Sequence, residues 1–170
     1  SVTGTKCRHR PLQVALSPAF AITSFGLITA QPANEWSDSV KVTKLAPAMG
    51  AEITDIDLGS SDFSDNLIGE IRAVWLEHNL VVLRGQKLTP QQQLRLAEAF
   101  GDPDIYPFLE GVDGIPEITA VLKREHETVN FGGVWHTDTS YQKLPPMATM
   151  LQAIELPPIG GDTLLSLIHI

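Results

Sequence analysis

Two stretches of the chain space apolar residues as a helix does; several shorter stretches place them in alternation or in unbroken runs. Leu67, Ile68, Ile71, Val74, Trp75 and His78 fall on one helical face, which Ser64 can cap and Asn79 can end. A second helix opens at Thr89, with Pro90 in the first helical position and Gln92 completing a capping box. Its residues Leu94, Ala97 and Phe100 are predicted to face inward, and Gly101 to stop it. Strands are predicted around Val40–Leu45, at Glu52–Leu58, at the unbroken run Leu80–Leu83, at Ile118–Leu122 and at Met147–Ile154. Residues 102–116 hold three prolines and two glycines and read as loop. Pro157-Pro158 and Gly160-Gly161 mark a turn into Asp162-Thr163-Leu164. No internal repeat or low-complexity tract interrupts this order.

The first 34 residues fit no such pattern. They contain no acid, start with Lys6, Arg8 and Arg10, and are broken by Pro11, Pro18 and Pro32. Residues 1–40 therefore read as a leader, disordered or targeting, and the ordered part as beginning near Val40. The chain has 170 residues, 43% of them hydrophobic and 19% charged, which suits one globular domain. A formal net charge of −8 argues against non-specific binding to nucleic acid or to an anionic membrane. Cys7 is the single cysteine, so an internal disulfide framework and a cysteine zinc cluster are excluded. No apolar run is long enough for a transmembrane helix. These features point to the cytoplasm, with organellar targeting by residues 1–34 as the alternative. They leave a homo-oligomer open.

The candidate chemistry lies in Gly132-Gly133-Val134-Trp135-His136-Thr137-Asp138. In an extended backbone, side chains at i and i+2 share a side, so His136 and Asp138 converge. An imidazole nitrogen beside a carboxylate oxygen can chelate a divalent metal, and one further histidine would complete a facial triad. Taken alone the spacing is weak, since a chain of this composition contains His-x-Asp about 0.3 times by chance. An Asp that merely orients a structural His in a turn has the same signature. So does a zinc or manganese hydrolase, although no glutamate here has the context of a base. Trp135 could wall a metal pocket or sit in ordinary core, and His126 reads as a solvated loop residue.

The surroundings narrow the choice. Phe131 to Tyr141, then Pro145-Pro146, then Gly160-Gly161-Asp162-Thr163-Leu164, resemble the TauD/TfdA family of Fe(II)- and 2-oxoglutarate-dependent dioxygenases. Gly50-Ala51-Glu52-Ile53 with Asp57-Leu58, and Val81-Val82-Leu83-Arg84 followed by Leu88 to Gln92 and Phe100-Gly101, match in the same order. The resemblance spans residues 41–165 and leaves 166–170 as a tail outside the family pattern.

That resemblance implies a mainly β fold with flanking helices: a double-stranded β-helix, the cupin-like jelly roll, incomplete at its C-terminal end. It implies His136 and Asp138 as iron ligands and Thr163 as a contact for 2-oxoglutarate, which is consumed with O2 to give succinate and CO2. It implies a small organic molecule as substrate, with Tyr106 and Asn130 as candidate contacts. Tyr106 stands where taurine-specific members carry a sulfonate-binding histidine, and Leu109 where they carry a tyrosine, departures that count against taurine itself as the substrate. The family's second iron histidine and its 2-oxoglutarate arginine lie far beyond His-x-Asp, whereas residues 139–170 hold only His169 and no arginine. The expectation is therefore a truncated dioxygenase, inactive alone, with exposed strand edges and apolar faces. The alternative is a non-catalytic family member acting as a binding domain.

Overall fold

The structure, a computed structural model, describes residues 13–18, 40–60, 63–124, 126–129 and 131–165. Its elements run β1 (Gln13–Pro18), β2 (Lys41–Lys44), β3 (Ala51–Thr54), α1 (Asp65–His78), β4 (Val81–Arg84), α2 (Pro90–Glu98), β5 (Gly111–Val112), β6 (Ile115–Thr119) and β7 (Ala148–Gln152). Five strands form one sheet in the order β2-β3-β4-β1-β7, and β5 pairs with β6 in a separate hairpin. Strands with few helices match the expected class. The described part is one mixed sheet with a hairpin.

The helices follow their local signals. Ser64 accepts a hydrogen bond from the Leu67 N–H, and Asn79 closes α1 in the left-handed conformation, with φ 62°. At α2 the Thr89 side chain accepts from Gln92 N–H while the Gln92 side chain accepts from Thr89 N–H, so two orphan donors are satisfied together. The inward face of α2 differs from the expected one. Leu96 is the residue fully buried, while Leu94, Ala97 and Phe100 are half-buried. Periodicity fixes the stripe only to within one residue, and Leu96 is the α2 residue that joins the core cluster.

The core is a β3-α1-β4 unit. β3 and β4 are parallel, as a helical crossover allows. Ala51, Ile53, Val81 and Leu83 alternate onto the buried face and join Ile68, Ile71, Val74 and Trp75 of α1. β3 is shorter than the alternation of Glu52–Leu58 suggests, because the chain leaves it at Asp55, φ 65°. The following segment is held by Gln86, which is 3% exposed. Its amide donates to the Ile56 and Arg84 carbonyls and accepts from the Leu58 N–H, at 2.8–2.9 Å.

Two further stretches depart from the sequence reading. β1 lies within the segment read as patternless leader, paired antiparallel with β4 on one side and β7 on the other. Six residues are too few for alternation to stand out amid prolines. The rest of residues 1–39 lies outside the described residues. The stretch 102–116, read as loop, carries β5 and the start of β6, and the strand expected at Ile118–Leu122 is instead Ile115–Thr119. Asp113 and Gly114 both have positive φ, 53° and 79°, which is what a tight hairpin turn of the primed type requires. Asp-Gly was thus a strand-joining signal that the nearby prolines masked.

β7 is the edge strand that positions the candidate site. Ala148 and Met150 pack on the core cluster. By alternation Thr149 and Leu151 point to the opposite face of the sheet, the face that α1 does not cover. That face also carries an ion pair, Glu52 to Arg84 at 3.2 Å.

Candidate metal centre

His136 and Asp138 converge, though not by strand geometry. Residues 131–147 form turns and bends rather than a strand. Convergence comes instead from hydrogen bonds. His136 Nδ1 lies 2.7 Å from the Val134 carbonyl oxygen, so Nδ1 carries the proton it donates there. The other nitrogen, Nε2, lies 3.0 Å from Asp138 Oδ1. Asp138 Oδ2 in turn accepts a 3.0 Å hydrogen bond from Thr149 Oγ1 on β7. Gly132, with φ 65°, leaves room for the ring: a Cβ there would stand 3.0 Å from His136 Cε1.

The donor set fits a divalent cation. With Nδ1 committed to a carbonyl, Nε2 is the nitrogen left to bind a metal; a ligating histidine usually donates its other ring N–H to a carbonyl or carboxylate in this way. Two donors about 2.1 Å from one octahedral ion and at right angles to each other lie about 3.0 Å apart. The observed separation of Nε2 and Oδ1 is the same 3.0 Å. Among the described residues no third His, Cys, Asp or Glu joins them in a metal-holding group. Without a cation the carboxylate faces the ring directly. The His136 pKa is raised, chiefly by the hydrogen bond to Val134; desolvation opposes the rise, and the charge and hydrogen bond of Asp138 each add a smaller upward push.

The other expected residues are distributed as follows. Tyr106 is half-buried, with its ring edge-to-face against Phe108 at 5.4 Å. Its loop is tied to the segment after the metal pair, since Gln142 Nε2 donates to Asp104 Oδ2 at 2.9 Å. Thr163 is exposed on a loop and hydrogen-bonds to neither His136 nor Asp138. Asn130 and His169 lie outside the described residues. Trp135 is 72% exposed, so the reading of it as plain core is not met here. His126 is exposed on its loop, as read.

Sequence reasoning missed three neighbours of the pair. The Val134 carbonyl has no side-chain signature at all. Thr149 was legible only as a polar residue interrupting the apolar run Met147–Ile154. Thr139, directly after Asp138, is a β-branched residue at φ 46°, a conformation such residues rarely adopt. Its Oγ1 is buried with no partner among the described residues.

Comparison with known proteins shows the family. The model of the family described as "Taurine catabolism dioxygenase TauD, TfdA family" matches residues 41–166. An alkylsulfatase of Acinetobacter baylyi is 31% identical over 128 residues, which is 75% of this chain and 39% of that protein. An alpha-ketoglutarate-dependent 2,4-dichlorophenoxyacetate dioxygenase of Cupriavidus pinatubonensis is 32% identical over 142 residues, 74% of this chain and 49% of that protein. A crystal structure of a taurine dioxygenase from Burkholderia xenovorans overlaps with a TM-score of 0.44 at 32% identity, covering 50% of this chain and 32% of that one. The chain spans less than half the length of these curated relatives.

Proposed function

The chain belongs to the TauD/TfdA dioxygenase family, and on that premise we propose that it supplies the His-x-Asp part of a 2-oxoglutarate-dependent dioxygenase acting on a small organic anion. The observation that supports this reading is the 3.0 Å approach of His136 Nε2 to Asp138 Oδ1, inside the residues that the family matches. In this reading the two atoms are protein ligands of Fe(II), Thr163 contacts the carboxylate of 2-oxoglutarate, and Tyr106 and Asn130 face the substrate. Iron, 2-oxoglutarate and O2 together supply the oxidising power when bound, with succinate and CO2 released. The chain's own residues position the reactants. Val134 fixes which ring nitrogen is free, and the Asp104–Gln142 bond holds the Tyr106 loop beside the ligand segment. The fold belonging to this reading is the double-stranded jelly roll, of which the described sheet is one part.

The names of the relatives support this substrate class. Their names specify an alkylsulfatase, a sulfonate dioxygenase and a 2,4-dichlorophenoxyacetate dioxygenase. Sulfate esters, sulfonates and carboxylates share one anionic group on an organic body. The test is succinate release by the whole protein, not by residues 1–170 alone, with Fe(II) and 2-oxoglutarate under air, across a panel of alkyl sulfates, alkyl sulfonates and aryloxyacetates. Substrate-dependent succinate, lost in H136A, is the expected result. Iron binding with no succinate above the substrate-free rate for any member would overturn the proposal in favour of a binding role.

A further inference from the structure

We propose that Thr149 is a positioning residue for the metal site: its hydroxyl holds one oxygen of Asp138 so that the other is presented beside His136 Nε2. The inference rests on the reading of His136 and Asp138 as metal ligands and goes beyond it, since Thr149 touches neither a metal nor a substrate.

Three observations carry it. Thr149 Oγ1 donates to Asp138 Oδ2 at 3.0 Å, and Asp138 Oδ1 faces His136 Nε2 at 3.0 Å, so the two carboxylate oxygens have separate partners. A carboxylate free to rotate about its last torsion would exchange them, because that torsion is broad and two-fold. A bond to one oxygen removes the exchange. The second observation concerns anchorage. Asp138 lies on a turn-rich segment and is exposed, so its own backbone restrains the carboxylate weakly. Thr149 lies on a strand, paired with Ser17 of β1, in a sheet whose core side is packed by Ala148 and Met150. The hydrogen bond therefore ties a loop ligand to the rigid part of the molecule. Third, the strand pattern leaves the hydroxyl no core role. Thr149 sits on the face away from α1, where its neighbour in alternation, Leu151, is 48% exposed.

Partners that orient metal ligands typically change affinity by about 10- to 100-fold when removed. Here the expected loss is at the lower end, about tenfold, because the bond is partly solvated. Thr149→Val keeps the shape and the strand preference and removes the hydroxyl. Thr149→Ser keeps the hydroxyl.

The experiment is Co(II) binding to the purified protein, followed by the visible absorption of the bound ion, with unfolding midpoints recorded for each variant. The wild type and T149S are expected to bind within about twofold of each other with the same spectrum. T149V is expected to bind about tenfold more weakly with an altered spectrum and an unchanged midpoint. Equal affinity and spectrum for T149V and wild type would overturn the inference and leave the ligand assignment standing. A weaker T149V that T149S matches equally would overturn it too, since loss would then not follow the hydroxyl. If T149V does not fold, the T149S comparison with T149A decides by the same criterion. No Co(II) binding by the wild type, or undiminished binding by H136A, would overturn the ligand reading itself.

Discussion

Residues 40–100 and residues 105–165 hold similar shares of apolar residues and use them differently. Among the described residues, every fully buried apolar side chain lies between Val40 and Leu96. Nearly all the exposed large hydrophobics lie between Ile105 and Leu165, Leu45 and Leu76 being the exceptions. The first region closes a helix onto a parallel strand pair. The second carries His136, Asp138, Tyr106 and Thr163 on loops, and meets the first where Ala148 and Met150 of β7 pack on its core and where Gln152 Nε2 donates to the Leu88 carbonyl. Stability and chemistry are thus separated along the chain.

The sharpest way to break the comparison is to cut equivalent side chains in each region. Leu83→Ala removes a fully buried leucine from β4 and is expected to cost about 2–5 kcal/mol of unfolding free energy. Leu144→Ala removes one that is 88% exposed and should change stability by less than about 0.5 kcal/mol. Denaturant unfolding of the two variants checks both. Similar losses would mean that the second region is packed as tightly as the first.

The next effect is smaller and polar. Gln86→Leu leaves the Leu58 N–H and the Ile56 and Arg84 carbonyls without their partner beside the core. A loss of about 1–3 kcal/mol is expected, against near neutrality if water replaces the amide freely. Equilibrium unfolding again decides, with hydrogen exchange at Leu58 rising in step.

The same division explains what was legible in the sequence. Both helices of the first region were readable because their caps are local: Ser64 and Asn79 for α1, Thr89 with Gln92 for α2. The identity of the buried residue on α2 was not, because Leu96 is chosen by what lies beneath the helix. In the second region the chemistry-bearing pair was legible as a spacing, but the reason it converges was not. His136 is held by a backbone carbonyl and Asp138 by a residue on β7, and neither contact leaves a local trace. The β5–β6 hairpin was hidden for another reason. Its Asp113-Gly114 turn lies among prolines that separately signal loop.

A third test addresses how the two loops of the second region hold together. Gln142→Ala removes the bond to Asp104, whose other oxygen accepts from the Ile105 N–H. A partly exposed hydrogen bond contributes about 0.5 kcal/mol, so the unfolding midpoint should barely move. Hydrogen exchange of the Asp104–Tyr106 amides should nevertheless rise, since the segment loses its tether. A rise spread across residues 40–100 would show that the loop and the core are coupled and not separate.

The smallest effect expected is the most local. His136 should titrate above the ordinary histidine value of 6.5 in the metal-free protein, because the Val134 carbonyl and then Asp138 favour the charged ring. The sign of the linkage follows. A pKa raised by folding contributes stability that is fully present below the unfolded value and is lost as pH rises through the folded one. The side chain is about half exposed, so solvent screening keeps this contribution small. Asp138→Asn should lower the His136 value only in part, because the larger cause, the backbone carbonyl, remains. NMR titration of the ring protons in wild type and D138N measures both shifts. A wild-type value at or below 6.5 would mean that the Val134 contact does not persist in solution. Core residues offer no comparable handle: Ile53, Ile71 and Leu83 have nothing to titrate, so a pH-dependent change confined to residues 131–149 would place the proton-sensitive part of the molecule in the chemical region alone.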